Sequence, residues 1–160
     1  MAILTNSGRT AIAASLKVQP IHLAWGTGDA AWDVTPVPEP VTATTLVAEV
    51  GRHAATLVRY CVPDVAGSII VPAGRFSESA DPSNYLYTRF NFDFSDSPAA
   101  VIREVAIFIG SQIVAGLPSG QIYFLPADVQ VPGVMLLLER FTKFTRSMSA
   151  RESFEFVVQI

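Results

Sequence analysis

Residues Tyr85–Phe94 read YLYTRFNFDF, a segment in which two kinds of side chain alternate without a break. The even positions carry Leu, Thr and three Phe, whereas the odd positions carry two Tyr, Arg, Asn and Asp. Successive side chains of a β-strand point to opposite faces, so this period of two predicts a strand with one buried and one exposed face.

The segment Val101–Ile109, VIREVAIFI, predicts a second long strand. Both of its faces are largely apolar, which is typical of a strand between two layers or beneath a partner chain. Arg103 and Glu104 point to opposite faces, so they cannot pair with each other. Each is expected to find an oppositely charged or polar partner on another strand or subunit, and the same reasoning applies to Glu49 and Arg52.

The remaining segments predict one helix and several further strands. A helix is expected over Thr5–Leu16, capped by Thr5 or Asn6, with Ile3 packed onto its first turn as a hydrophobic staple. Val134–Phe144 fits a strand or a helix equally well. Other predicted elements are strands at Ile21–Trp25, Arg52–Cys61 and Ser153–Ile160 and a short helix at Thr44–Val50.

These elements predict the fold class and the domain organisation. The class is mainly β (α+β): an antiparallel β-sandwich-like domain with one N-terminal α-helix and long loops. A length of 160 residues favours a single domain over 1–160. A Pro-rich loop is expected at 33–43, because Pro36, Pro38 and Pro40 at alternate positions favour an extended, polyproline-like path over the surface.

The composition indicates a subunit of a larger assembly. Hydrophobic residues make up 50% of the chain and charged residues 16%, against about 25% charged in typical domains. This balance excludes a disordered chain and leaves little charge to cover an isolated surface. Of the eleven Lys and Arg residues, only Lys17 and Lys143 are Lys, a bias typical of protein interfaces.

Charge and apolar patterning argue against two classes of partner. The net charge is −3 and the basic residues form no run, so we expect no binding to nucleic acid. The longest apolar runs are far shorter than the ~18–20 residues that span a bilayer, so we expect no membrane partner. The N-terminus lacks the pattern of a signal peptide, and a single cysteine excludes an intramolecular disulfide.

Few residues suggest catalysis or cofactor binding. His22 and His53 stand far apart without acidic or Cys neighbours at ligand spacing, so we expect structural roles and no metal site. Cys61 lies in an apolar run and is expected to be a buried, inert thiol. The sequence GTGD at 26–29 lacks the rest of a phosphate-binding motif and predicts a tight turn. No cofactor is predicted, and there is no Gly-x-Ser-x-Gly elbow for a nucleophile.

Four segments together resemble a known family. ILTNSGR at 3–9 precedes an Ala-rich helix, LAWGTGD at 23–29 precedes the Pro-rich loop, and TLVAEVGR at 45–52 and VIREVAIF at 101–108 follow in order. This order resembles the N-terminal attachment domain of tail-collar-type fibre proteins of tailed bacteriophages. The resemblance covers most of the chain up to about Gly116.

The resemblance implies a virion structural protein, without catalysis, that attaches or bridges tail fibres to the tail. It implies a location in the virion tail after synthesis in the host bacterial cytoplasm, and partners among the other tail, baseplate and fibre proteins. Fibre proteins of this family usually continue into a long shaft, whereas this sequence ends at Ile160. We therefore expect a homo-oligomeric adaptor or baseplate subunit, or one on which a separate fibre protein docks.

The predicted interface joins aromatic, proline-rich and basic segments. For the two tryptophans, core and interface positions remain equally open. The alternative function is a carbohydrate-binding β-sandwich module for host receptor recognition, with Trp25, Trp32, Tyr85 and Tyr87 as stacking platforms; an enzyme ranks third. The interface candidates are Trp25, Trp32, Pro36, Pro38, Pro40, Tyr85, Tyr87, Arg140, Lys143 and Arg146.

Overall fold

A computed structural model describes residues 1–35 and 37–160, and the chain in it is mainly β. The predicted class is confirmed in its β content, its antiparallel sheets and its single N-terminal α-helix. The helix α1 spans Asn6–Lys17, and 3₁₀ turns lie at Ala30–Asp33 and Pro126–Asp128. The strands are Ile21–Gly26 (β1), Glu49–Ala54 (β2), Leu57–Pro63 (β3), Ile69–Val71 (β4), Gly74–Ser79 (β5), Tyr85–Phe92 (β6), Val101–Ile109 (β7), Gln112–Ile113 (β8), Tyr123–Phe124 (β9), Val129–Val131 (β10), Val134–Thr145 (β11) and Glu152–Gln159 (β12).

The backbone forms two compact units, each assembled from separate segments of the chain. The first unit comprises Met1–Gln19, Ala55–Phe90 and Ser153–Ile160. The second unit comprises Pro20–Ala54 and Asn91–Glu152. The single domain over 1–160 therefore stays a prediction. Within the described residues, no helix is long and apolar enough to cross a membrane.

The first unit is built on a five-stranded sheet in the order β12-β6-β3-β5-β4. The alternation predicted for β6 is confirmed, because Leu86, Thr88, Phe90 and Phe92 are all buried. Tyr87, on the opposite face, is buried as well, in a cluster with Cys61, Ile69 and Phe76. Tyr85 and Arg89 on that face are half-buried and Asn91 is exposed, so it is the less buried of the two faces, as the alternation predicted. Phe94, which the sequence placed on the buried face, lies beyond the end of β6 and is 38% exposed, so that part of the prediction is wrong.

The helix α1 begins and ends close to its predicted bounds. The Thr5 hydroxyl oxygen accepts a hydrogen bond from the Gly8 amide at 3.2 Å, as expected of an N-cap. The staple predicted for Ile3 is wrong, because that side chain is 81% exposed. Of the helical residues only Ala13 is buried, so α1 contributes little to the core.

The second unit contains a five-stranded sheet in the order β11-β7-β1-β2-β9 and a small β10-β8 pair. β7 runs between β11 and β1 and is buried along almost its whole length, as its apolar faces predicted. The Trp25 ring on β1 is fully buried and stacks on Phe92 with 3.7 Å between centroids. The ambiguous segment Val134–Phe144 forms a strand, β11. This strand lies at the edge of the sheet, next to β7.

Two sequence predictions are wrong in the region from 44 to 61. The helix at Thr44–Val50 does not form; instead the Val47 and Ala48 amides donate to Glu104 Oε1 on β7 at 2.8 and 3.2 Å, and the chain bends there before β2 begins at Glu49. The single strand at Arg52–Cys61 is split into β2 and β3. The split follows from a change of hydrogen-bond acceptor, since the Ala54 amide donates to Ile122 and the Thr56 amide to Arg89.

A candidate interaction surface around Trp32

Four of the predicted interface residues converge on one surface of the second unit. Trp32 lies in the 3₁₀ turn Ala30–Asp33, Pro38 in the Pro-rich loop, and Arg140 and Lys143 on β11. The turn forms because the Asp29 carboxylate accepts the Ala31 amide at 2.9 Å and caps it. Two adjacent segments, the turn and the loop, thus meet β11, which lies about a hundred residues away in the sequence, beside one half-buried indole.

Arg140 is the side chain that connects these segments. Its guanidinium carbon lies 4.2 Å from the centroid of the Trp32 ring, within the range of a cation–π contact. Its Nη1 donates to the carbonyl oxygen of Pro38 at 3.1 Å. Its backbone amide donates to Glu39 Oε1 at 2.9 Å. One residue of β11 therefore positions both the indole and the loop.

Three charged side chains at the same surface, Arg103, Asp33 and Lys143, form an ion triad. Arg103 donates through Nε and Nη2 to the two oxygens of Asp33, at 2.9 and 3.0 Å, and through Nη1 to the carbonyl oxygen of Thr27. Lys143 Nζ lies 2.8 Å from the same carboxylate. These hydrogen bonds lower the pKa of Asp33 from 3.8 to about 2, and the largest contribution comes from Arg103. The partner expected for Arg103 on another element is thus Asp33.

The surface contains two open grooves between the Pro-rich loop and β11. The first has a volume of about 390 Å³ and lies between Trp32, Pro38 and Phe141. The second, of about 220 Å³, lies between Pro40 and the segment 135–138. Glu39 lines both grooves, so together they follow β11 from 135 to 142.

The loop and β11 on either side of the grooves carry exposed apolar side chains and two carboxylates, of which Glu39 lines both grooves. The pKa of Glu139 is raised above its usual value, mainly by burial and to a smaller extent by the charge of Glu39. The exposed apolar side chains in the loop and at the start of β11 are Val34, Val37, Val41, Val134 and Leu136. Apolar area rimmed by charge is typical of a protein–protein contact surface.

Three of the ten predicted interface residues are buried within the chain. Trp25 is 0% exposed and Tyr87 4%, so for Trp25 the core position is the one that the structure shows. Arg146 is 2% exposed and donates to the carbonyl oxygens of Asp93, Asp96 and Ala150. The carbohydrate-binding alternative thereby loses two of its four stacking platforms to the core.

Of the remaining three candidates, Pro40 adds to this surface, whereas Tyr85 lies elsewhere. Tyr85 is half-buried in the first unit, where its ring lies 5.7 Å from that of Phe76. Pro36 lies outside the described residues. Pro40 is exposed and lines the second groove. The predicted contact roles of all ten residues stay predictions.

The other charged residues named from the sequence on β2 and β7, which are Glu49, Arg52 and Glu104, have partners within the chain. Arg52 is buried and pairs with Glu49 within β2 through two hydrogen bonds of 2.8 Å, so the ion pairs expected with another strand or subunit are wrong for these two residues. Glu104, fully buried, accepts the two loop amides described above. The described residues include no group of three His, Cys, Asp or Glu placed to hold a metal ion.

The histidines and the cysteine lie in the interior. Burial, followed by the charges of Arg52 and His53, lowers the pKa of His22 from 6.5 to about 4. His53 Nδ1 lies 2.6 Å from the Ala54 carbonyl oxygen. Burial raises the pKa of Cys61 to about 11, so its thiol stays protonated at neutral pH.

Sequence reasoning missed two residues of the surface. Glu39 was hidden in the Pro-rich loop, although it is the only charged residue between Pro36 and Pro40. Phe141 was missed because the segment around it fitted a strand and a helix equally well. The sequence signal that could have identified Glu39 is its position as an acidic residue within a proline-rich segment.

One comparison identifies relatives of the chain. The model of a family described as "Baseplate wedge 3 tail fiber network component" matches residues 1–160. No curated protein matches the chain in sequence. The family match confirms the resemblance to phage fibre-attachment proteins that the sequence motifs indicated.

Proposed function

Because the chain belongs to the family of baseplate wedge 3 tail fibre network components, we propose that it attaches or bridges tail fibres to the tail of a bacteriophage. It is a structural component of the phage baseplate, and its place is the virion tail. The proposal adds that it acts as a homo-oligomeric adaptor without catalysis, made in the host bacterial cytoplasm. Its partners are the fibre and the neighbouring baseplate proteins.

The observation that carries this proposal is the convergence of Trp32, Pro38 and Arg140 on one groove. Trp and Arg are the residue types most enriched among side chains that dominate binding energy at interfaces. Proline fixes the backbone of the loop, so little conformational entropy is lost when a partner docks on it. A rigid, preformed and partly apolar surface suits a permanent structural contact.

The charges beside the groove support a structural rather than a catalytic role. A general acid or base needs a pKa close to the working pH. The Asp33 carboxylate has its pKa lowered to about 2 by Arg103 and Lys143, so it stays ionised and occupied by two cations. These groups therefore position the loop and the strand.

Competitive incorporation into phage particles tests the proposal. A Trp32→Ala chain is co-expressed with the wild-type chain during infection, and the ratio of the two in purified particles is measured by mass spectrometry. Loss of a central indole costs at least about 2 kcal/mol of binding, so we expect the variant at less than a tenth of its share in the lysate. Val65→Ala, at a 94% exposed site in the first unit, is the control and should incorporate normally. Equal incorporation of Trp32→Ala would contradict the proposal.

A further inference from the structure

The longest strand of the second unit lies at the edge of its sheet. Among the described residues, β11 is paired on one side, with β7. The amide of Arg140 donates to the Glu39 side chain and so points away from β7. Backbone groups alternate in direction along a strand, so the Leu138 amide lies on the same outer side. An edge of this kind is a template for another strand.

Among the described residues, the Pro-rich loop is hydrogen-bonded to this edge at Arg140. Glu39 accepts the Arg140 amide where a neighbouring strand would offer a carbonyl oxygen, and Pro38 accepts the guanidinium of the same residue. The two grooves open on either side of this contact, along 135–138 and 140–142. The loop therefore occupies the hydrogen-bonding position at Arg140, and open grooves adjoin β11 on both sides of that position.

The side chains along the edge indicate the chemistry of an occupant. Val134 is 74% exposed and Leu136 37%, which favours apolar side chains opposite them. Glu39 lines both grooves, and its charge contributes to raising the pKa of Glu139, so a cation on the occupant is favoured beside Glu39. The second unit as a whole carries ten Asp and Glu against six Lys and Arg.

We propose that β11 receives an extended strand of a partner protein, with apolar side chains over Leu136 and a Lys or Arg beside Glu39. This inference rests on the proposed function and specifies its partner as a basic β-strand added to the sheet edge. A second copy of this chain is a poorer occupant. Its β11 and Pro-rich loop would bring the same two carboxylates, and its cations Arg140 and Lys143 are already engaged by Trp32 and Asp33.

Hydrogen–deuterium exchange tests strand addition directly. Exchange of the peptide covering 134–142 is compared between the isolated chain and the chain in purified phage particles. We expect the Leu138 amide to exchange at least tenfold more slowly in particles, because a partner carbonyl accepts it. Unchanged exchange at 134–142, together with new protection at 30–40, would overturn strand addition and leave the proposed function standing.

Two further outcomes separate the inference from the function on which it rests. Protection at neither segment would remove this groove as the attachment surface and overturn both. Protection at 134–142 already present in an oligomer of the isolated chain would identify a second copy as the occupant and overturn the assignment to another protein.

A pair of charge-neutral variants tests the basic side chain. Glu39→Gln with Glu139→Gln removes both charges but keeps an amide oxygen that can accept the Arg140 amide. Glu78→Gln with Asp81→Asn, at exposed sites in the first unit, is the matched control. In competition with wild-type chain we expect the groove pair at a third or less of its normal share in particles and the control pair at its full share. Equal shares for both pairs would overturn the requirement for a cation on the partner strand.

Discussion

The guanidinium of Arg140 on β11 lies 4.2 Å from the centroid of the Trp32 ring and also donates to the carbonyl oxygen of Pro38. This single side chain links the edge of the sheet, the 3₁₀ turn and the Pro-rich loop. A lysine could supply the charge but could not stack a planar group on the indole while reaching the loop carbonyl. The position of the loop relative to β11 therefore depends on arginine chemistry at this site.

Arg140→Lys should loosen the loop without unfolding the chain. We expect amide exchange at 37–43 to become at least fivefold faster, while the midpoint of thermal unfolding stays within about 2 °C of wild type because surface substitutions rarely cost more than ~0.5 kcal/mol. Hydrogen–deuterium exchange by mass spectrometry measures the first effect and calorimetry the second. Arg151→Lys, which alters an exposed arginine paired with Asp93, is the control and should leave exchange at 37–43 unchanged. Unaltered exchange at 37–43 in Arg140→Lys would show that the loop is held by other contacts.

The ion triad at Asp33 predicts a dependence of stability on acid pH. Its pKa is about 2 in the folded chain and 3.8 in an ordinary environment, so the unfolded chain takes up the proton first as the pH falls. The stabilisation is therefore fully present above pH 4 and is lost as the pH falls towards 2. We expect Asp33→Asn to lower the unfolding temperature at pH 7 and to differ little from wild type near pH 2. A difference between the two proteins that stayed constant over this range would refute the ionic role of Asp33.

His22 predicts a second dependence of stability on pH, in a less acidic range. Its pKa is about 4 when folded against 6.5 in the ordinary case, so protons bind preferentially to the unfolded chain between these values. Stability should fall by up to about 2 kcal/mol from pH 7 to pH 5. Urea unfolding at both pH values measures this loss. A His22→Gln chain should lose clearly less over the same interval, and an equal loss would place the pH dependence elsewhere.

Arg146 should matter for stability rather than for partner contact. Its buried guanidinium donates to three backbone carbonyl oxygens and lies over the Trp25 ring. Arg146→Ala leaves those oxygens without their donor, and we expect a loss of roughly 3 kcal/mol in the free energy of unfolding. Denaturant unfolding checks this value, with Arg151→Ala as the exposed control. A loss below about 1 kcal/mol would show that water replaces the side chain at little cost.

The sequence predicted the elements whose side chains follow one clear period. β6 and β7 were read from alternation and apolar content, and α1 from its Thr5 cap, because these signals are local. The helix expected at 44–50 failed because its deciding contact is with Glu104, a residue far away in sequence. The strand at 52–61 failed for a similar reason, since its two halves find different neighbours.

The candidate surface was predicted by residue type and only partly by place. Trp32, Pro38, Arg140 and Lys143 were named as separate contributions, and their convergence depends on β11 being a strand, which the sequence left open. Trp25, Tyr87 and Arg146 carry the same interface-like chemistry but lie in the interior. Composition identifies such residues, whereas burial depends on topology that no single segment encodes.

In the assembled baseplate, we expect another polypeptide to cover the surface around Trp32. A cryo-electron microscopy map of purified particles, at a resolution that traces side chains, would show this polypeptide. We expect a strand of a neighbouring protein hydrogen-bonded along 134–142, with Trp32 and Pro38 in contact with that neighbour. A map in which these residues face solvent while tail fibres attach to other faces of the chain would contradict it.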